Sequence, residues 1–250
     1  MKRTSILMLT LLFLVPAALC QAVETGTPFP TKEGFTLQLP GGWKPIPEEV
    51  LDAYEREIAR MAPKAENQDY DYGFQLSSAR KWFAYPYILV QVKSSGKVPQ
   101  DQLRSMARIG EAMDTGFARA RESISSIAAN GKMGEPVLDE AAHTLWTRIS
   151  VDVKGVGTIN GLVGTILTEK GFIQISCYAK EKEFQGYLPL FEGMISGAVL
   201  SDELMYRPEG AGSVKTPGRI GTGAMAGIAA LLTAAGVLFL LVVRGRRKKG

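Results

Sequence analysis

Histidine occurs once in the 250 residues, at His143, and cysteine twice, at Cys20 and Cys177. Structural zinc sites are built from clusters of these two residue types, so their scarcity excludes one. A serine or cysteine nucleophile needs a base beside it. The single histidine follows Glu140-Ala141-Ala142 in a turn-like stretch between strand signals and reads as a solvated surface residue. An internal disulfide needs two cysteines, and beyond the leader only Cys177 remains. Its alternation with Ile173 and Ile175 marks a buried structural thiol. Acidic residues are missing from both ends, because all 25 lie between Glu24 and Glu209. With Lys2, Arg3 and the six basic residues from Arg219 onward set aside, 21 Lys and Arg face those 25 acids, a net charge of −4. Nucleic-acid binding calls for a basic stripe on the folded domain, so that class is excluded.

What the ends do contain is apolar. Met1-Lys2-Arg3 precedes a run from Ile6 to Leu19, broken by Thr10 and Pro16, and small residues follow. That is the pattern of a secretory signal peptide over residues 1–22, cut after Cys20 or Ala22. As a helix the run reaches about 21 Å, short of a hydrocarbon core of about 30 Å. An uncleaved anchor is the alternative. Leu19 before Cys20 argues against lipidation, which wants a small residue there. Near the other end, Ile220 to Val243 carries no charge and is followed by Arg244, Arg246, Arg247, Lys248 and Lys249. Such a helix is about 36 Å long, enough to span a bilayer with some tilt. The cationic cap of 244–250 predicts a cytoplasmic tail and an extracytoplasmic domain over 23–200. Gly223 and Gly227, continued by Ala226, Ala230 and Ala234, offer a face on which two spans could pack as a homodimer. Between domain and span, residues 201–219 include Pro208, Gly210, Gly212, Ser213, Pro217 and Gly218 and read as a flexible tether. Its reach is about 20–25 Å.

The middle alternates strand and helix signals. Phe35, Leu37 and Leu39 share one face of a strand that ends at Pro40-Gly41-Gly42. Pro47 opens a helix with Glu48, Glu49 and Asp52 in its first turns, and Val50, Leu51, Tyr54, Ile58 and Met61 fall on one side before Pro63. Strands are predicted over Tyr72–Leu76 and Tyr87–Lys93. A long amphipathic helix follows over Gln100–Ala129, with Leu103, Met106, Gly110, Met113, Phe117, Ala120, Ile124 and Ile127 in one stripe. A sheet face is its expected partner, and a coiled coil the alternative. Strands over Glu135–Asp139, Thr144–Val153, Thr158–Thr168 and Phe172–Ala179 have short gaps and should form an antiparallel meander. A last helix covers Glu181–Gly197. The fold class is α+β, an antiparallel sheet with helices packed on it, plus one C-terminal transmembrane helix.

Three stretches, FTLQLPGGW from Phe35, GTILTEKGFIQISCYAKEKEF from Gly164 and GYLPLFEGMISGAVL from Gly186, resemble the PsbP-like superfamily. The resemblance covers Gly34 to Leu200 and implies an α/β/α sandwich. Most members are not enzymes, which implies binding or assembly work. The long helix and the anchor have no counterpart in the family.

Candidate chemistry is sparse. Asn67, Asp69 and Asp71 alternate before Gly73, but an EF-hand would need Gly and Glu where Tyr72 and Ser78 stand. The acidic start of the first helix, with Glu55 and Glu57, reads as a solvated face rather than two carboxylates across a cleft. Trp82, Phe83, Tyr85 and Tyr87 around Pro86 are the candidate partner surface, to the extent that they remain outside the core. No cofactor is expected. The function expected is that of a membrane-tethered binding or assembly module, in a bacterial envelope, with a protein partner near the membrane. An extracytoplasmic hydrolase with an unrecognised site is the alternative. Alkaline carbonate washing should leave the full-length chain in the membrane pellet and release a chain truncated after Gly218; release of both would remove the span.

Overall fold

The computed structural model describes residues 26–61, 69–99 and 128–208. The alternating stretch after Gly34 forms β2 (Phe35–Leu39), whose Phe35, Leu37 and Leu39 are buried. Before it lies β1 (Thr27–Pro30), and after the Pro-Gly-Gly turn comes β3 (Trp43–Pro45). Helix α1 (Glu48–Met61) starts behind Pro47 and turns Leu51, Tyr54 and Ile58 inward. Next come β4 (Tyr72–Leu76) and β5 (Tyr87–Lys93), with the predicted bounds. Strands β6 (Ala128–Met133) and β7 (Val137–Asp139) lead into the long β8 (Thr144–Val153), β9 (Gly157–Thr168) and β10 (Gly171–Lys180). Helix α2 (Glu181–Ser196) and the two-residue β11 (Val199–Leu200) follow.

Two sheets result. The larger runs β3-β4-β5-β10-β9-β8-β6, with β7 also paired to β8, and the smaller runs β1-β2-β11. Every pairing is antiparallel, as the short gaps in the meander predict. On one face of the large sheet, Phe74, Ile88, Val90, Ile166, Ile173, Ile175 and Cys177 meet Phe184, Phe191, Met194 and Ile195 of α2 and the inner residues of β2. The opposite face carries α1 against β4, where Leu51 would touch any side chain at Gly73. This face also buries a polar group: Gln75, Gln91, Thr165, Gln174 and Ser176. Gln174 Nε2 donates to Gln91 Oε1 and Ser176 Oγ, and Gln75 Oε1 accepts the Phe83 N–H at 2.7 Å. Cys177 is fully buried, and burial pushes its thiol well above the ordinary value.

Two expectations change. The long helix was expected to reach Ala129, but Ala128 and Ala129 already belong to β6; residues 100–127 of that helix lie outside the described residues. The stretch AANGKM has no apolar alternation, so its strand state comes from pairing with β8 across a register shift between Ala128 and Gly131. The tether does not begin at Ser201. Leu204 and Tyr206 are buried, Met205 bridges Thr168, and Ser201 N–H donates to the Gly34 carbonyl. Composition flagged the prolines and glycines of that stretch and missed its two apolar anchors.

Two glycines stand where no side chain fits, one between layers and one between neighbouring strands of the large sheet. A Cβ on Gly164 of β9 would sit 2.4 Å from Ile195 Cγ2 of α2. Gly171 has φ +150°, and a Cβ there would lie 1.8 Å from the Lys93 carbonyl oxygen. Gly164→Ala should lower unfolding free energy by about 1–3 kcal/mol in urea titrations, since a side chain can shift. Gly171→Ala should cost more, because its obstacle is backbone and its φ is one that side chains avoid. The reverse ranking would contradict this packing.

Candidate functional site

The aromatic group picked out by sequence divides between core and rim. Phe83 and Tyr87 are 2% and 1% exposed, so neither is on the surface. Phe83 stacks on Tyr54 of α1 at 4.3 Å, Tyr87 tilts against Tyr178 at 5.1 Å, and Tyr85 against Tyr87 at 5.2 Å. Trp82 and Tyr85 are half-buried, and Lys44 Nζ sits 5.0 Å from the Trp82 ring. Phe83 holds φ +56°, a region costly for a bulky residue, fixed by its N–H bond to Gln75 and the stack on Tyr54. Burial pushes the hydroxyls of Tyr54, Tyr70, Tyr85, Tyr87 and Tyr178 upward in pKa, so this nest holds neutral phenols. It is core, with Trp82 and Tyr85 at its edge.

Other flagged residues have structural work. Glu55 is half-buried rather than solvated: its carboxylate accepts the Tyr70 N–H at 2.5 Å, and burial raises its pKa despite that bond. Asp71 accepts the Val92 N–H at 2.7 Å. Among the described residues no group of three or more His, Cys, Asp or Glu stands together to hold a metal ion. Asn67, Gly223, Gly227 and the apolar runs at both ends lie outside the described residues, among which no helix is long and apolar enough to cross a membrane.

The open site lies elsewhere. Among the described residues, helix α2 packs mainly on β9, β10 and β2 and leaves most of β8 and β6 open on that face. On the uncovered strip, side chains that alternate along β8 (Trp146, Arg148 and Ser150) stand beside Asn160 of β9 and Lys132 of β6. Glu192 and Gln185 of α2 form the opposite wall. Two adjoining hollows of about 370 and 410 Å³ meet at Gly134 and Arg148. Trp146 packs partly against the α2-side core and lines one hollow, next to Glu135 and Val137. Arg148 pairs with Glu192 at 3.8 Å, with their side chains 60% and 49% exposed, a contact worth little in water. Glu135 and Glu192 are both exposed, and the groove is open rather than a closed cleft. Sequence reading missed it because α2 and β8 are remote in the chain. The alternation of Trp146, Arg148 and Ser150 along one strand was its one local trace.

At the end of the sheet where the chain leaves, Tyr206 is wedged in place. Its hydroxyl donates to the Val98 carbonyl at 2.7 Å, Lys97 Nζ lies 5.1 Å from its ring, and His143 packs on it at 4.9 Å. His143, half-buried with φ +48°, is therefore not the solvated residue its turn suggested. Lys97 pairs with Glu169 at 2.7 Å and also donates to the Arg207 carbonyl, while Glu169 accepts the Arg207 N–H at 2.7 Å.

No family model matches the chain, and no curated protein matches it. Among solved structures it is similar to cyanobacterial PsbP (CyanoP) from Synechocystis sp. PCC 6803, with 12% identity and a TM-score of 0.42, over 73% of this chain and 96% of that one.

The hydrogen bond from Lys97 holds the Glu169 carboxyl below the usual carboxylate range, outweighing desolvation. A carboxyl lowered on folding stabilises above its unfolded pKa and loses that contribution as pH falls through its folded value. Glu169→Gln should therefore destabilise the fold at about pH 7, with the difference closing below about pH 4. Urea midpoints at both pH values measure it; a difference independent of pH would refute the role.

Proposed function

We propose that this chain is a membrane-tethered extracytoplasmic binding or assembly module without catalytic activity of its own, and that the groove beside α2 is where it engages its ligand. The carrying observation is the strip of β8 and β6 left open beside α2, where Trp146 and Arg148 line adjoining hollows. Large aromatics and arginine are the side chains that most often carry binding energy. The uncharged stretch 220–243 and its cationic cap support the tether. Because Tyr206 is fixed, the part left to act as tether is 209–219, which reaches about 17–20 Å if flexible. The domain then stays close to the bilayer with the Tyr206 end nearest it. That end carries opposed charges in pairs, Lys97 with Glu169, Lys170 with Glu203 and Lys93 with Asp69, and the groove along β8 faces sideways from it. A second copy joined through Gly223 and Gly227 fits the same arrangement.

Oxidative footprinting of intact cells tests the proposal whatever the ligand's class. Trp146 should be several-fold less reactive in cells than in the purified full-length chain, while Trp82 changes little. Equal reactivity of Trp146 in both states would mean that the groove is empty where the protein works.

A further inference from the structure

We propose that the groove takes an uncharged oligosaccharide, an inference that rests on the binding role proposed above. Charge is the first reason. The groove sets Lys132 and Arg148 against Glu135 and Glu192, so an anionic ligand meets two carboxylates and a cationic one meets two cations. A neutral ligand meets neither penalty.

Hydrogen-bonding chemistry narrows the class. Arg148 offers a planar fork of donors, Glu192 a pair of acceptors, and Asn160, Gln185 and Ser150 both kinds. A ligand matching such a wall must donate and accept at closely spaced points along its length, as the hydroxyls of a sugar do. Trp146 adds a flat apolar ring held on one side by the core, and its cross-strand neighbour Val137 is 64% exposed. A pyranose ring presents a C–H face to such a surface and hydroxyls at its rim. Two hollows side by side, each of small-molecule size, fit consecutive units of a chain better than one compact molecule.

The backbone argues against the main competitor, an extended peptide added as a strand. On the groove floor β8 is already paired on both sides, with β9 and with β6 and β7. The rim strand β6 carries a register shift and Lys132, features that blunt an edge against strand addition. Recognition here runs through side chains.

Calorimetric titration of the full-length chain, in a detergent without a sugar headgroup, tests the assignment. The probes are cellohexaose, hexa-N-acetylchitohexaose and maltohexaose, with hexagalacturonate as the anionic control and a Ser-Gly hexapeptide as the peptide control. At least one neutral hexasaccharide should bind saturably and more tightly than either control. Trp146→Ala and Arg148→Ala should each weaken it by about tenfold or more and Trp146→Phe by less, with the thermal midpoint unchanged in Arg148→Ala and every titration run well below the lowered midpoint of Trp146→Ala, whose ring packs partly on the core. No heat from any neutral hexasaccharide up to roughly 10 mM would overturn the assignment. So would equal affinity for the anionic or peptide probe, or binding indifferent to both alanine variants. If Trp146 is nonetheless protected in cells, the binding role stands and the glycan does not; if neither result appears, both fail.

Discussion

Ile195 of α2 comes down on Gly164 of β9, and no other residue type at 164 would let the helix sit so low. That contact fixes the height and the lateral position of α2. Phe184, Phe191 and Met194 can then reach the apolar strip of β10 and β5, and the small β1-β2-β11 sheet closes over the other flank. A single helix is only about 10–12 Å across with its side chains, whereas seven strands at about 4.8 Å spacing are far wider. Among the described residues, what α2 leaves uncovered on that face is β8 and β6. The groove is thus the remainder of a packing solution, and its side chains are polar because water reaches them.

The second fixed point is where the chain leaves the domain. Tyr206 is held by a hydrogen bond, a cation over its ring and the packing of His143, and Glu169 ties Lys97 to the Arg207 backbone. Anchored at Tyr206, the described domain presents that end toward the residues beyond 208. On the proposed reading that end faces lipid and the groove opens along the flank, within reach of material spread across the membrane surface.

Much of the fold was legible in the chain. Strands β4, β5 and β8 have the bounds that alternation and turn residues gave them, and β9, β10, α1 and α2 differ by a residue or two at their ends. These segments carry their own signal, either a two-residue apolar period or a one-sided helical stripe behind Pro47 or Glu181. Strands β1, β3, β6 and β11 do not. They have two to six residues, without a full alternation, and they are strands because a longer neighbour offers free backbone groups. The candidate site was less legible. Trp82, Phe83, Tyr85 and Tyr87 were expected to divide between core and surface, but the sequence did not say which would go where; Phe83 and Tyr87 complete the core under α1, and Trp82 and Tyr85 stay at its edge. Sequence clustering says nothing about direction.

Within the described residues, the sequence alone decided which segments are long strands and helices, that Cys177 is buried, and that the meander pairs antiparallel, because periodicity and loop length are local properties. Tertiary structure alone decided that Trp146, Arg148, Asn160, Glu192 and Lys132 share one groove, that Phe83 turns inward, and that Tyr206 is packed into the domain. Each of these depends on which distant surface a side chain meets. The chain specifies that meeting through shape, as where Gly164 admits Ile195, and no window of neighbouring residues contains it.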